Sequence, residues 1–110
     1  MLLSEFDIQA TLYTLLKEKG YNVTGEYKIK TDRNGTLRAD IAILDTNWGK
    51  VIYLIEVKDT LKKVNINTRQ YKKYKATRIK FDYCLTKNDI QRTIQAADLY
   101  LQSIAENNRN

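Results

Sequence analysis

The sequence has no histidine and no proline, a single cysteine and only four glycines. Without histidine, Ser/His/Asp and Cys/His catalysis are excluded, as is zinc held by imidazole. Any metal must then be held by oxygen, which favours a hard ion such as Mg2+ or Mn2+. Cys84 has no partner for an internal disulfide, which suits a reducing compartment. It lies in the run Phe81-Asp82-Tyr83-Cys84-Leu85 and reads as a buried strand residue rather than a nucleophile. Long apolar runs are also missing. None approaches the roughly 20 residues needed to cross a bilayer, and the opening segment has no basic residues ahead of its apolar ones. A cytoplasmic protein without membrane association is expected. No low-complexity linker or visible repeat interrupts the 110 residues, so one domain over 1–110 is expected.

Apolar residues make up 43% of the chain and run from Leu2 to Ile104, enough for one shared interior. The net charge is +6, and its placement is uneven. Between Leu61 and Lys80 stand eight basic residues, Lys62, Lys63, Arg69, Lys72, Lys73, Lys75, Arg78 and Lys80, and no acidic one. The rest of the chain is slightly acidic on both sides of this stretch. A local patch of this kind fits a surface that meets a polyanion, with a solvated helix face as the plainer alternative.

Ser4 is placed to cap a helix from about Glu5 to Lys19, with Leu3 set to pack on Ile8. Ile8, Leu12, Leu15 and Leu16 form its apolar stripe, and Gly20 is placed to stop it. A strand over Tyr21 to Ile29 follows, and Asn34-Gly35 signals a tight turn into a second strand, Leu37 to Leu44. In that strand Leu37, Ala39, Ile41 and Ile43 are expected on one face and Arg38, Asp40, Ala42 and Leu44 on the other. A second turn at Asn47 to Lys50 leads to a strand from Val51 to Lys58, apolar on both faces as a central strand would be. A helix over Asn67 to Thr77, a short strand over Phe81 to Leu85 and a last helix capped by Thr86 complete the order. The last helix has its buried stripe at Ile90, Ile94, Ala97, Leu101 and Ile104. The predicted fold is α/β, a mixed four-stranded sheet flanked by helices in the order α-β-β-β-α-β-α.

Two charges close the otherwise apolar third strand. Glu56 and Lys58 are two apart and share a face, and an antiparallel register brings Asp40 beside Glu56. Paired carboxylates repel unless a cation or proton neutralises them. A divalent ion bound there polarises a phosphate oxygen and activates water, with Lys58 beside it to assist water attack and steady the developing charge. The plainer alternative is a surface salt bridge between Glu56 and Lys58, against which stands the cost of an unpaired charge on a core strand.

Arg38-Ala39-Asp40-Ile41-Ala42 resembles the R-P-D strand of the PD-(D/E)xK nuclease superfamily, and Ile55-Glu56-Val57-Lys58 resembles its I-E-x-K strand. Arg69-Gln70-Tyr71-Lys72-Lys73-Tyr74 is similar to the Q-x-x-x-Y helix of several branches, including the N-terminal nuclease domains of type I restriction subunits. Ser4-Glu5-Phe6-Asp7 resembles the acidic motif of their first helix. The resemblance covers nearly the whole chain. It implies a restriction-endonuclease-like core and a metal-dependent endonuclease acting on DNA. Asp40, Glu56 and the Val57 carbonyl would hold Mg2+ or Mn2+, Lys58 would be catalytic, Glu5 would be a further acidic residue and Gln70 would support the site. Lys62, Lys63, Arg69, Lys72, Lys73 and Lys75 would contact DNA, and Tyr74 would contact core or substrate. For Gln70 and Tyr74 an ordinary amphipathic helix is the alternative, and for Glu5 a favourable charge at a helix start. Ala39 stands where many members have proline. No translocase, methyltransferase or target-recognition region accompanies these motifs. Specificity would then come from a partner protein, a homodimer or DNA structure. A non-catalytic DNA-binding or accessory module of the same fold is the other reading. Eight tyrosines suggest base stacking, but Tyr53 and Tyr83 fall in strands and are expected in the core.

Overall fold

A computed structural model of the chain describes residues 3–31, 35–46, 49–59 and 65–108. The first helix, α1 (Leu3–Glu18), buries Ile8, Leu12 and Leu16 along one face. Gly20, at φ 93°, stops it: its N–H donates to the Lys17 carbonyl at 2.9 Å and that of Tyr21 to the Leu16 carbonyl at 3.3 Å, the paired bonds of a left-handed helix terminus. Ser4 lies inside the first turn, and its hydroxyl donates to the Asp59 carboxylate, so the expected Ser4 cap is replaced by a long-range tie.

Four strands follow the predicted order. They are β1 (Asn22–Thr31), β2 (Gly35–Leu44), β3 (Val51–Val57) and β4 (Phe81–Cys84), lying side by side in the sequence β1-β2-β3-β4. The first two pairings are antiparallel and β3–β4 is parallel, joined through α2 (Arg69–Ala76). A 3-10 turn at Lys87–Asp89 then enters α3 (Ile90–Asn108). Gly35 pairs with Thr31 at the start of β2 and takes φ 81°; Asn34, the other half of the expected turn, lies outside the described residues. At the next turn the Asp45 N–H donates to the Lys50 carbonyl at 2.7 Å, with Asn47 and Trp48 outside the described residues. Thr86 makes no side-chain cap; Asp89 instead accepts the Leu85 N–H at 3.1 Å.

The sheet is covered on both faces. On one, α1 and α3 pack over Ile41, Ile43, Tyr53, Ile55, Val57 and Cys84. On the other, Tyr74 of α2 packs with Leu37, Ala39, Ala42 and Leu54. Cys84 is fully buried, as its sequence context predicts, and burial pushes its thiol up. No helix among the described residues is long and apolar enough to cross a membrane.

One expectation about β2 fails in an informative way. Strict alternation would put Leu37 and Ala39 on the same face as Ile41 and Ile43, yet the first pair packs beneath α2 and the second beneath α1 and α3. The strand turns over at Asp40. Opposite it, Glu26 leaves the extended region with φ 52°, and the Glu26–Asp40 pair is missing from an otherwise continuous register. A local break of this kind re-aims a side chain without breaking the sheet. Because Glu26 is exposed but left-handed, Glu26→Val should destabilise the fold by about 1–2 kcal/mol despite its strand-favouring side chain, since β-branched residues resist positive φ. Glu26→Gly should be neutral or stabilising. Chemical denaturation of both variants checks the ordering.

Candidate active site

The β2–β3 register runs through Ala42↔Leu54 and Ile41↔Ile55 and stops there. Continued by one residue it sets Asp40 opposite Glu56, the juxtaposition the sequence predicts. Where the next ladder bond would form, the N–H of Val57 is taken by Asp40 Oδ2 at 2.8 Å. The aspartate side chain thus substitutes for a backbone acceptor at the point where β2 turns over. Its own carbonyl is satisfied from α1, where Gln9 Nε2 donates to it at 3.1 Å.

Glu56 is only 5% exposed, and its carboxylate is held from several sides. The Tyr74 hydroxyl donates to Oε1 at 2.7 Å, and Gln70 Nε2 donates to Oε2 at 2.9 Å. Lys58 Nζ, on the same face of the strand and half-exposed, lies 3.3 Å from Oε2. Lys58 is anchored at its backbone by an N–H bond of 2.8 Å to the Cys84 carbonyl. Gln70 and Tyr74 are one helical turn apart on α2, so both reach the same carboxylate from one helix face.

The two carboxyl groups act on each other's charge, and burial raises both above the ordinary carboxylate range. For Glu56 the Asp40 charge adds to burial and lifts its pKa to about 7, against the pull of Tyr74 and Lys58. For Asp40 the Val57 N–H, the Glu56 bond and Lys58 oppose the rise without cancelling it. The pair therefore keeps a proton to higher pH than an ordinary carboxylate would.

Glu5 stands at the edge of this group. Its Oε1 accepts the Asp59 N–H at 3.4 Å, and its charge acts on Asp40 to raise its pKa further. Among the described residues no cluster of three or more acidic, cysteine or histidine side chains converges as a ready metal cage. The carboxylates that could hold a metal are two, Asp40 and Glu56. That suits a magnesium-like ion, which keeps several waters and uses one or two carboxylates.

The basic stretch divides once it is folded. Lys72 and Lys75 are exposed on α2, as is Arg69. Lys73 is half-buried and donates from Nζ to the Thr36 carbonyl at 3.1 Å, tying α2 to the start of β2. Lys62 and Lys63 lie outside the described residues. Tyr74, expected to meet core or substrate and grouped with possible DNA contacts, is fully buried and spends its hydroxyl on Glu56, so it belongs to the core and does not face outward as a DNA contact would. Gln9 is the site residue that sequence reasoning misses. Its signal was a polar side chain three and seven residues before the buried Leu12 and Leu16, on the flank of the apolar stripe.

No protein-family model matches the chain, and no curated protein and no solved structure matches it either.

Titration of Glu56 sets a stability profile whose sign follows from the raised pKa. The unfolded chain releases this proton near 4.5 and the folded one near 7, so folding is favoured below the lower value and loses stability as pH rises through the upper. In EDTA the parent should therefore lose on the order of 2–3 kcal/mol between pH 4.5 and 8. Glu56→Gln should flatten that slope and melt higher than the parent at pH 8. A parent slope unchanged by the substitution would remove Glu56 as its source. Separately, Gln9→Leu leaves the Asp40 carbonyl without its donor and should cost about 1–3 kcal/mol in thermal denaturation.

Proposed function

We propose that the chain is a metal-dependent deoxyribonuclease with a restriction-endonuclease-like core, cutting phosphodiester bonds at the Asp40–Glu56 pair. The observation that carries this reading is the buried Glu56 carboxylate at the point where Asp40 takes the Val57 N–H on the neighbouring strand, with the Lys58 ammonium 3.3 Å from Glu56. The resemblance of the Asp40 and Glu56-x-Lys58 strands to PD-(D/E)xK nucleases supports it, as do the element order and the reach of Gln70 from α2 to Glu56.

Asp40 and Glu56 would hold Mg2+ or Mn2+, together with the Val57 carbonyl. Bound there, the ion supplies Lewis-acid polarisation of a phosphate oxygen and a lowered pKa for an attacking water. The chain's own residues do the rest. Burial lifts the pair above the ordinary carboxylate range, so a cation held there would compete with a proton and its affinity would rise with pH across neutrality. Tyr74 and Gln70 fix the plane of the Glu56 carboxylate, and Val57 fixes that of Asp40. Lys58 is half-exposed, so its ammonium can turn from Glu56 to the charge that grows on the phosphate in the transition state. Glu5 adds a negative charge at the rim. Arg69, Lys72 and Lys75 offer phosphate contacts from the exposed side of α2. Sequence preference would come from a homodimer, a partner protein or DNA structure, in a cytoplasmic setting.

Purified protein with Mg2+ or Mn2+ is expected to nick supercoiled plasmid, and Asp40→Ala to abolish this. Lys58→Ala should retain metal binding within a fewfold by calorimetry, yet slow single-turnover cutting by roughly a hundredfold or more. Glu56→Ala should lose metal affinity and cutting together. A folded Lys58→Ala variant that cuts at the parental rate would leave Lys58 as a salt-bridge partner only. Cutting by Asp40→Ala would put the reaction elsewhere.

A further inference from the structure

Along the edge strand β4, from α2 around to the start of α3, the surface sinks into a groove of about 890 Å3. Its floor is aromatic. Tyr71 of α2 and Tyr83 of β4 lie nearly parallel, 14° between planes and 6.5 Å between ring centres, and Phe81 meets both edge-on. All three rings are half-buried, so each keeps some surface open to the groove. Its rim is cationic, with Lys75, Arg78 and Lys80 exposed around it.

The charge balance of this groove is one-sided. Its acidic groups are already matched: Arg92 bonds Asp89 at 2.6 Å and Asp82 at 3.0 Å. Lys75, Arg78 and Lys80 have no ion pair with a described residue, and Lys80 lies 5.9 Å above the Tyr100 ring. Partly exposed rings bordered by cations that make no ion pair with a described residue are what unpaired nucleotides bind, since bases stack on aromatic planes while phosphates meet lysine and arginine. A duplex keeps its bases stacked inside and cannot use the rings.

The groove also adjoins the carboxylate pair. Tyr74, which donates to Glu56, touches Phe81 at 5.2 Å and Tyr83 at 5.8 Å between ring centres. From these contacts we infer that the groove between α2 and β4 binds a single-stranded segment of DNA, stacking its bases on Tyr71, Phe81 and Tyr83 and pairing its phosphates with Lys75, Arg78 and Lys80. The choice of DNA rests on the nuclease reading above; the groove itself does not. The substrate would then be DNA with an unpaired stretch, such as a flap, gap or junction arm, with its free strand seated beside the site.

The test is fluorescence anisotropy in EDTA, with labelled oligo(dT) of about 15 nucleotides and a duplex of the same length. The parent should bind oligo(dT) more tightly than duplex. Tyr71→Leu keeps an apolar side chain against Phe81 and should weaken oligo(dT) binding about tenfold while leaving duplex binding within twofold. Lys75→Glu with Lys80→Glu should weaken oligo(dT) binding and make its salt dependence shallower. Circular dichroism checks that each variant is folded, and Tyr83→Leu gives a second probe should Tyr71→Leu unfold. Equal binding of oligo(dT) by folded variants and parent would overturn the proposal. So would a parent that ignores oligo(dT) but whose dimer is dissolved by the same substitutions, since the groove would then join two copies. Because no metal or cleavage enters the assay, a protein that binds oligo(dT) yet never cuts DNA would refute the nuclease reading and leave the groove standing.

Discussion

Everything about the candidate site depends on one exchange at the end of a strand pairing: where β2 and β3 cease to bond backbone to backbone, the Asp40 carboxylate accepts the Val57 N–H in place of a carbonyl. A buried N–H without a partner would be costly, so the side chain is needed there for the sheet as well as for any chemistry. The same exchange frees β2 to turn over, which puts Leu37 and Ala39 under α2 and Asp40 beside Glu56. Glu26 on β1 accommodates the turnover by adopting positive φ, and Gln9 on α1 closes the remaining carbonyl. Three elements therefore converge on a single residue, and none of the three adjustments would be needed in a regular sheet.

The carboxylate pair shows how burial and function pull in opposite directions. Glu56 sits on a central strand between Ile55 and Val57, where water is excluded and a charge is expensive. Its Tyr74, Gln70 and Lys58 partners compensate in part, yet Asp40 beside it raises its pKa to about 7. The site is thus strained electrostatically rather than sterically. Perturbed carboxyl groups with a specific charge partner are a recognised mark of functional positions, and here they coincide with the residues that the strand pattern picks out.

Much of this was legible in the sequence. Element order followed from hydrophobic period and turn residues, because α1 and α3 carry helical stripes while β3 is a short β-branched apolar run preceded by turn residues. The approach of Asp40 to Glu56 followed from strand spacing alone. What was not legible depended on positions where a local rule gives way to tertiary demand. Alternation along β2 misplaced Leu37 and Ala39, because nothing in Arg38-Ala39-Asp40 signals a strand that turns over. Tyr74 read equally well as surface or core, since helical spacing does not say which neighbour a hydroxyl will reach. Ser4 and Thr86 have the chemistry of helix caps, but a distant aspartate claimed the first and Asp89 took the Leu85 N–H at the second site. Tyr71 and Tyr83 gave no hint of a common platform because 12 residues and a crossover separate them.

The partners that Glu56 draws from across the sheet come from α2, which is eight residues long and buries one side chain, Tyr74. A helix of two turns does not persist by itself in water. Its hold on the sheet rests on the Tyr74 ring and hydroxyl, the Lys73 tie to Thr36 and the Thr68 cap. The site is therefore only as durable as the docking of that helix. Local opening of α2, at a free energy below that of global unfolding, would strip Glu56 of Tyr74 and Gln70 while leaving the four strands paired. In hydrogen exchange the amides of α2 would then open before those of β2 and β3, and the lifetime of the assembled carboxylate pair would be set by its least protected element.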